Sequence, residues 1–508
     1  MNQAAHPYTP TDPFAPTYPW GPVLENAFYH RAVDMTPQPT WAVARPLLPQ
    51  PHWPEQPDAI ACYWKAWELC WRNLKSPVPG SGFISPFIDT AFNGCLFLWD
   101  SVFILEFARH GSRVIAAQRT LDNLYRAQHP DGFISREIDW STGQERFHRF
   151  DPVSTGPNVF AWSEWRHWLV RGDRQRLGEV FAPILHYHRW TRTFHTWPDG
   201  SYWSCGWACG MDNQPRAAPE VHRSHHHGWL TWFDATAQAL LSARTLERMA
   251  AVLGRSAEIA DIAAEAARLE GVIAGLWRED LGFYVDRRPG GELSDLVSIG
   301  AYWALLATDP GPAKVAAMVA KLSDPRHFGR LHAPATLSAS HPEFDPAGGY
   351  WLGAVWPPTT WMVLCALRAH GHDALAHQLA LNHVGNVAKV FADTGTLWEN
   401  YAPDRAAPGK PAKGDFVGWG GLGPIAVLIE EVFGLKPDGP ARRLRWDLRL
   451  TGEHGIRQLP VGTALVDVAV AKRASAAEEP RITANADAPV TLEVVWAGGR
   501  RELALGGA

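Results

Sequence analysis

Two acids, far apart in the chain, have neighbours that suit acid–base chemistry. The run Cys209-Gly210-Met211-Asp212-Asn213-Gln214-Pro215-Arg216 sets a carboxyl among glycine, amides, proline and arginine. Pro215 has no backbone N–H and biases Gln214 toward an extended conformation, so the run is a loop. Upstream, Tyr202, Trp203 and Trp207 offer that loop apolar walls. Burial raises the pKa of a carboxyl, which is the environment a proton donor requires. A lone loop aspartate ordinarily closes a turn on its own backbone amides. What makes a pair is the second carboxylate, in Leu397-Trp398-Glu399-Asn400-Tyr401. Two carboxyls among tryptophans suit hydrolysis of a glycosidic bond, one protonating the leaving oxygen while the other activates water or attacks carbon. Sequence spacing leaves both geometries open, an inverting pair about 6.5 to 9.5 Å apart or a retaining pair about 5 to 5.5 Å apart.

For the acids to meet, the intervening chain must fold both onto one face. Helical periodicity covers 58–74, 93–110, 112–128, 158–170, 173–194, 229–253, 256–277, 297–308, 312–322, 357–370, 372–391 and 417–433. These segments alternate in character. The stretch 93–110 is apolar on every side except at Asp100 and Glu106, the mark of a buried helix. The next, 112–128, carries only the stripe Val114, Leu121, Leu124 and Tyr125. Asp173 suits an N-cap, Pro357 a first turn and Gly434 a C-cap. Six such pairs predict an inner ring inside an outer one, an (α/α)6 toroid spanning 58–434. Long loops at alternate junctions (129–157, 196–228, 323–356 and 392–416) then gather at one end, and both acids lie in that set.

Flanking segments differ. Residues 1–57 are rich in proline and aromatics without periodicity and predict an extended arm, packed down through Trp20, Phe28, Trp41, Leu47 and Trp53. From 439 to 508 the period becomes two, with apolar alternation at 445–450, 464–471, 490–496 and 502–505. This predicts a small C-terminal β-sandwich acting as a structural cover.

Composition removes several function classes. Of 508 residues, 46% are hydrophobic and 19% charged, as in soluble globular proteins. The most apolar run, 95–105, is shorter than the roughly 20 residues of a spanning helix and contains Asp100. Met1 to Tyr18 shows no secretory pattern, so a cytoplasmic protein without a membrane partner is expected. A net charge of −5, not gathered into blocks, argues against nucleic acid. The six cysteines show no zinc spacing. Adjacent histidines at 225, 226 and 227 point apart, and His222 adds no carboxylate pattern, so no metal is expected. Gly418-Trp419-Gly420-Gly421 lacks the Lys and Ser of a phosphate loop, and no cofactor is expected. Several of the 26 tryptophans (203, 207, 351, 356, 398 and 419) stand in Gly/Pro-punctuated loops, where the faces of a sugar ring are suitable partners. Asp234 and Gln238, four apart on a buried helix, share a face behind the site.

Four blocks, in order over roughly 93–434, resemble the clan of inverting (α/α)6 glycosidases that holds the trehalases and glycoside hydrolase family 63, with its processing α-glucosidases and mannosylglycerate and glucosylglycerate hydrolases. Leu98-Trp99-Asp100-Ser101 looks like the Trp-Asp-Ser block whose acid holds sugar hydroxyls. Gly210 to Arg216 looks like the general-acid block, which assigns that role to Asp212 and substrate contacts to Asn213 and Arg216. Tyr350-Trp351-Leu352-Gly353-Ala354-Val355-Trp356-Pro357-Pro358 is similar to the Trp-rich signature before an inner helix. Trp398-Glu399-Asn400-Tyr401, followed by Phe416-Val417-Gly418-Trp419, looks like the general-base block, which falls on Glu399. The resemblance implies an inverting exo-glycosidase acting on an α-glucosyl-type linkage of a small glycoside or oligosaccharide, its pocket shaped by Trp99, Asp100, Asn213, Arg216, Trp351, Trp356, Trp398 and Trp419. Ala208 and Cys209 replace the clan's Glu-Ser, Leu352 replaces a trehalase Asp, and no arginine stands between Phe83 and Leu98. These departures point away from trehalose. Other readings of such a barrel are a sugar epimerase or isomerase using some of the 22 histidines, or an inactive carbohydrate-binding protein.

Overall fold

Helices that are apolar all round must be surrounded by others, and this requirement organises the body of the chain. The computed structural model describes residues 25–218, 220–415 and 418–506. Trp20 of the expected arm, and Phe416 and Val417 of the fourth block, lie outside the described residues. The principal helices are α1 (Pro57–Arg72), α2 (Leu98–Ala108), α3 (Thr120–Arg126), α4 (Phe160–Arg171), α5 (Arg174–Phe194), α6 (Phe233–Leu253), α7 (Ala260–Ala274), α8 (Trp303–Ala307), α9 (Pro312–Ser323), α10 (Pro357–Ala369), α11 (Asp373–Thr394) and α12 (Leu422–Val432), the last wound with π-type turns.

Even-numbered helices touch in sequence: α2 on α4, α4 on α6, α6 on α8, α8 on α10, α10 on α12, and α12 back on α2. Every residue of α2 and of α12 is buried. Odd-numbered helices lie against this circuit, α3 on α2, α5 on α4 and α6, α7 on α6, and α11 and α1 on α12. Their stripes are narrow; α7 buries Ile262, Glu265, Ala266, Leu269 and Ile273 and turns the rest outward.

The two acids of α2 mark opposite ends of the circuit, six residues or about 9 Å apart along the helix. At one end Glu106 accepts from Arg109 (2.8 Å), from Arg166 of α4 (2.6 Å) and from the indole of Trp361 of α10 (2.9 Å). Glu430 of α12 takes Arg109 (3.1 Å), Arg166 (2.9 Å) and His110 (3.0 Å). This shared network ties four inner helices together. Asp100, at the other end, is left for the loops.

Local structure departs from the periodicity in several places. Cys95–Phe97 is a strand (β2) paired antiparallel with Glu137–Asp139 (β3), so helix α2 begins only at Leu98. Within 112–128, only Thr120–Arg126 is α-helical, after a 3-10 turn at Ala117–Arg119. The segment before α6 is a loop to Trp232. A 3-10 turn at Ile299–Tyr302 precedes the five-residue α8. Asp173 does cap its helix, accepting from Arg176 N at 3.0 Å.

Two four-stranded sheets follow the ring. One has the order β1-β6-β7-β8, all antiparallel, from Gln50–His52 (β1), His454–Val461 (β6), Ala464–Val470 (β7) and Ile482–Ala486 (β8). The other has the order β10-β9-β5-β4, from Leu435–Asp438 (β4), Arg443–Asp447 (β5), Val490–Trp496 (β9) and Gly499–Leu505 (β10), with β5 and β9 parallel. Alternate residues are buried as a half-buried strand requires: Leu444 and Trp446, Val466, Val468 and Val470, Leu492 and Val494. The arm is therefore part of a sheet, with His52 opposite Gly455, and the strands begin four residues before 439. Backbone bonds from Gly439 to Leu169 O (2.6 Å) and Gly462 to Val170 O (2.8 Å) seat the sheets on α4. No helix among the described residues is long and apolar enough to cross a membrane.

The entry to α12 packs closely against α2. A β-carbon on Gly421 would lie 2.5 Å from the Phe107 ring of α2. Gly421→Ala is therefore expected to lower stability by about 1–3 kcal/mol through overpacking, read as an earlier midpoint in urea unfolding.

Candidate active site

Each of the four long loops contributes to one cavity of about 230 Å³ at the Asp100 end of α2. Arg136, Glu137, Arg146 and Phe147 come from the first loop, Trp207, Gly210 and Asp212 from the second, Tyr350, Trp351 and Trp356 from the third, and Glu399 from the fourth; Trp99 and Asp100 reach it from α2, and Trp419 from the turn before α12.

Asp212 follows a single helical turn, Gly206–Cys209, which Gly210 ends in the left-handed conformation (φ +79°). Only glycine fits there for a second reason: a β-carbon would stand 2.7 Å from the Trp99 indole nitrogen. The loop is then tied on every side. Asn213 donates to Gly349 O (2.9 Å) and accepts from Trp351 N (2.9 Å). Gln214 donates to Thr336 O and accepts from Ser298. Ser224 donates to Asp212 O at 2.9 Å.

Glu399 is fixed from three sides. The Trp419 indole donates to its carbonyl (3.0 Å), while its carboxylate accepts from the Tyr350 hydroxyl (3.1 Å) and from Lys413 N–H (3.1 Å). Tyr350 adopts φ +66°, rare for a non-glycine residue, and its carbonyl accepts from the Trp356 indole at 3.0 Å. Trp351 and Trp356 stack face to face at 3.9 Å and 6°.

The two carboxyls share a cavity yet differ electrostatically. Burial drives the Asp212 pKa up to about 7; Arg136 acts against this, and Glu399 and Glu137 act with it. Its carboxyl draws on its own backbone N–H. Glu399 is also raised by burial, but the Lys413 N–H and the Tyr350 hydroxyl bond to its charged form and hold it down. Asp100 lies well above the ordinary carboxyl range, first through burial and then through Glu137. The indole nitrogen of Trp99 and the Nε of Arg136 are buried without a hydrogen-bond partner among the described residues. Such donors, beside a carboxyl, are what sugar hydroxyls can satisfy.

Other residues singled out in the sequence have structural places. Arg216 does not line the cavity; its guanidinium lies between Asp234 (2.6 Å) and Asp286 (2.8 and 2.6 Å), 4.0 Å over the Trp232 ring. Asn213 spends its amide on backbone. Trp398 points away, its indole donating to Thr394 at 3.0 Å, and Trp203 stacks on His195 at 4.1 Å. His222 and His225 pair with each other outside the cavity, at 2.8 Å. Tyr350, Arg136 and Glu137 escaped sequence reasoning. The arginine sought before Leu98 is absent there, and Arg136 brings a guanidinium to the cavity from the far side of β2. The pairing of β2 with β3 gives no signal in either segment alone.

Residues 95–419 match the model of the family described as mannosylglycerate hydrolase MGH1-like glycoside hydrolase domain. Over 284 residues the chain is 26% identical to a protein of Schizosaccharomyces pombe described as "Probable mannosyl-oligosaccharide glucosidase"; this covers 49% of the chain and 34% of that protein, so the chain spans about a third of that relative. In structure it is similar to the glycoside hydrolase family 63 mannosylglycerate hydrolase from Thermus thermophilus in complex with glucose, with 19% identity, a TM-score of 0.58 and coverage of 72% of this chain and 99% of that one. Neutral trehalase from Saccharomyces cerevisiae gives 15% identity and a TM-score of 0.53, covering 68% and 73%. At these identities the structural likeness speaks for the helical barrel fold.

The Arg216 cluster generates a stability test. Removing the guanidinium leaves Asp234 and Asp286, 1% and 4% exposed, without their cation. Arg216→Met is expected to cost about 3–5 kcal/mol, measured by chemical denaturation, and to cost activity through loss of the folded loop.

Proposed function

The chain belongs to the mannosylglycerate hydrolase MGH1-like glycoside hydrolase family, and from that premise we propose that it is an inverting, exo-acting glycosidase with Asp212 as general acid and Glu399 as general base. Its substrate is a small glycoside or oligosaccharide carrying an α-glucosyl or similar α-linked residue at the non-reducing end. The observation that carries this reading is the opposed state of two carboxyls on one cavity. Asp212, raised by burial to about 7, is partly protonated at neutral pH; the Glu399 carboxylate accepts from Tyr350 and Lys413, bonds that favour its charged form. Paired acid and base need that separation.

In this mechanism Asp212 protonates the glycosidic oxygen as the bond to the anomeric carbon breaks. Glu399 takes a proton from a water that attacks the opposite face, so the product anomer is inverted. Asp100 and the Trp99 indole bind hydroxyls, and the Trp351–Trp356 stack walls the ring. A volume of about 230 Å³ falls below the roughly 300–1,000 Å³ of drug-sized ligand pockets. One sugar ring at the chain end suits it better than the middle of a polymer. The cyclic order of the inner helices supports an (α/α)6 toroid of residues 58–434, and the two sheets support a β-sandwich cover beyond it. The names of the relatives make mannosylglycerate and glucosylated mannosyl-oligosaccharides the first substrates to try, and the resemblance noted in the sequence adds glucosylglycerate.

Asp212→Asn and Glu399→Gln are each expected to lower kcat on the cleaved substrate by about 10³-fold or more while remaining folded; for the parent, proton NMR should show the β anomer forming first. An α anomer formed first would replace inversion with retention. The pH profile of kcat/KM tests the assignment separately. Activity requires Asp212 protonated and so falls as pH rises through about 7. It requires Glu399 ionised and so falls again below that group's raised pKa. In an assay whose leaving group needs no proton, such as a glycosyl fluoride, the alkaline fall should disappear.

A further inference from the structure

The acid step at Asp212 and the base step at Glu399 make no use of two neighbours in the cavity, Arg136 and Glu137. Arg136 is 7% exposed and Glu137 3% exposed. The guanidinium donates to Trp207 O at 2.6 Å through Nη1 and to the Glu137 carboxylate through Nη2, and it lies 4.8 Å over the Phe147 ring. Glu137 also accepts from Asn93 Nδ2 (3.2 Å) and faces Arg146 Nε at 3.6 Å. Its backbone is locked opposite Phe97 in the β2–β3 pair. A buried guanidinium must be compensated by a carboxylate. The cavity has three others, Asp100, Asp212 and Glu399, and Arg136 acts on the first two.

We propose that Glu137 is a positioning residue of the site: by holding the Arg136 guanidinium on its own carboxylate, it keeps that cation from pairing with Asp212 and so leaves Asp212 able to carry a proton. This rests on the reading of Asp212 as the proton donor. The electrostatics agree in sign. Arg136 is the main influence drawing Asp212 downward and Glu137 is among those pushing it up; Asp100 shows the same opposition. The remaining groups facing Asp212 are Asp100 from α2, Cys205 from its own loop, and Tyr350 and Glu399 from the third and fourth loops, with Lys413 behind Glu399 and Arg146 beyond Glu137. A Glu137→Gln substitution leaves all of them in place.

Ionisation of Asp212 can be read without a substrate, from thermal unfolding of the chain and of its Asp212→Asn variant between about pH 4 and 9. A raised carboxyl pKa means that the folded state binds the proton more tightly than the unfolded one. The Tm advantage of Asp over Asn therefore shrinks as pH rises from about 3.9 and levels off above the folded pKa, at about 7. With Glu137→Gln, which keeps hydrogen-bond acceptance but not charge, the levelling-off should move down by about half a pH unit or more. With Glu137→Asp it should stay within that margin of the parent. With Arg136→Met it should move up. A levelling-off that does not move in either Glu137→Gln or Arg136→Met overturns the proposal, and so does movement in the opposite sense. The expected shifts combined with full activity of Asp212→Asn would instead remove Asp212 as the donor and leave the charge arrangement intact.

Discussion

One side-chain amide ties the two halves of the site together. Asn213 follows the proposed acid directly and uses its oxygen and its nitrogen on the backbone either side of Tyr350, at Trp351 N and Gly349 O. Tyr350, bent into the left-handed region between those two bonds, donates to Glu399. The two carboxyls are thus joined through two successive steps, the paired Asn213 bonds and the Tyr350–Glu399 bond, although 187 positions separate them in the chain. A displacement of either loop would have to break that amide bridge. Chemistry that depends on a water held between two carboxyls tolerates little misplacement, and a doubly bonded amide is stiffer than two loops packed only by contact.

In this small region desolvation raises Asp100, Asp212 and Glu399 alike, but the hydrogen bonds that reach them differ. Two bonds reach the Glu399 carboxylate, while among the described residues the Asp212 carboxyl draws on its own backbone N–H, and Arg136, the cation acting on it, is already engaged. Glycine makes this crowding possible: Gly210 gives way to the Trp99 indole.

Much of this was legible in the sequence, and what was not has identifiable causes. Alternation of all-round and one-sided apolar segments predicted the order in which helices touch, because burial on every side leaves a helix no other place. Asp212 and Glu399 stood out by their loop setting and fall on one cavity. The run 93–110 misled because a fully apolar stretch reads the same whether its first residues are strand or helix; β2 is decided by Glu137–Asp139, some forty residues on. Arg216 looked available to a ligand only because Asp234 and Asp286, which hold it, are 18 and 70 residues away. Trp398 and Trp203 share the Gly/Pro-punctuated setting of Trp351 and Trp356, and nothing local tells a ring that faces the cavity from one that packs beside it. Tyr350 gave no signal, since a left-handed tyrosine is a property of the fold around it.

The short strand β1 precedes the helices in the chain, yet its partner β6 follows all of them, with His52 opposite Gly455. At synthesis rates of about 5–20 residues per second, some 400 residues take on the order of 20–80 s to emerge. Throughout that interval the nascent chain carries an edge whose backbone groups have nothing to pair with, and α1 likewise lacks α12. Closure of the sheet and of the contact between α1 and α12 therefore waits until the chain has been made through Val461, the end of β6.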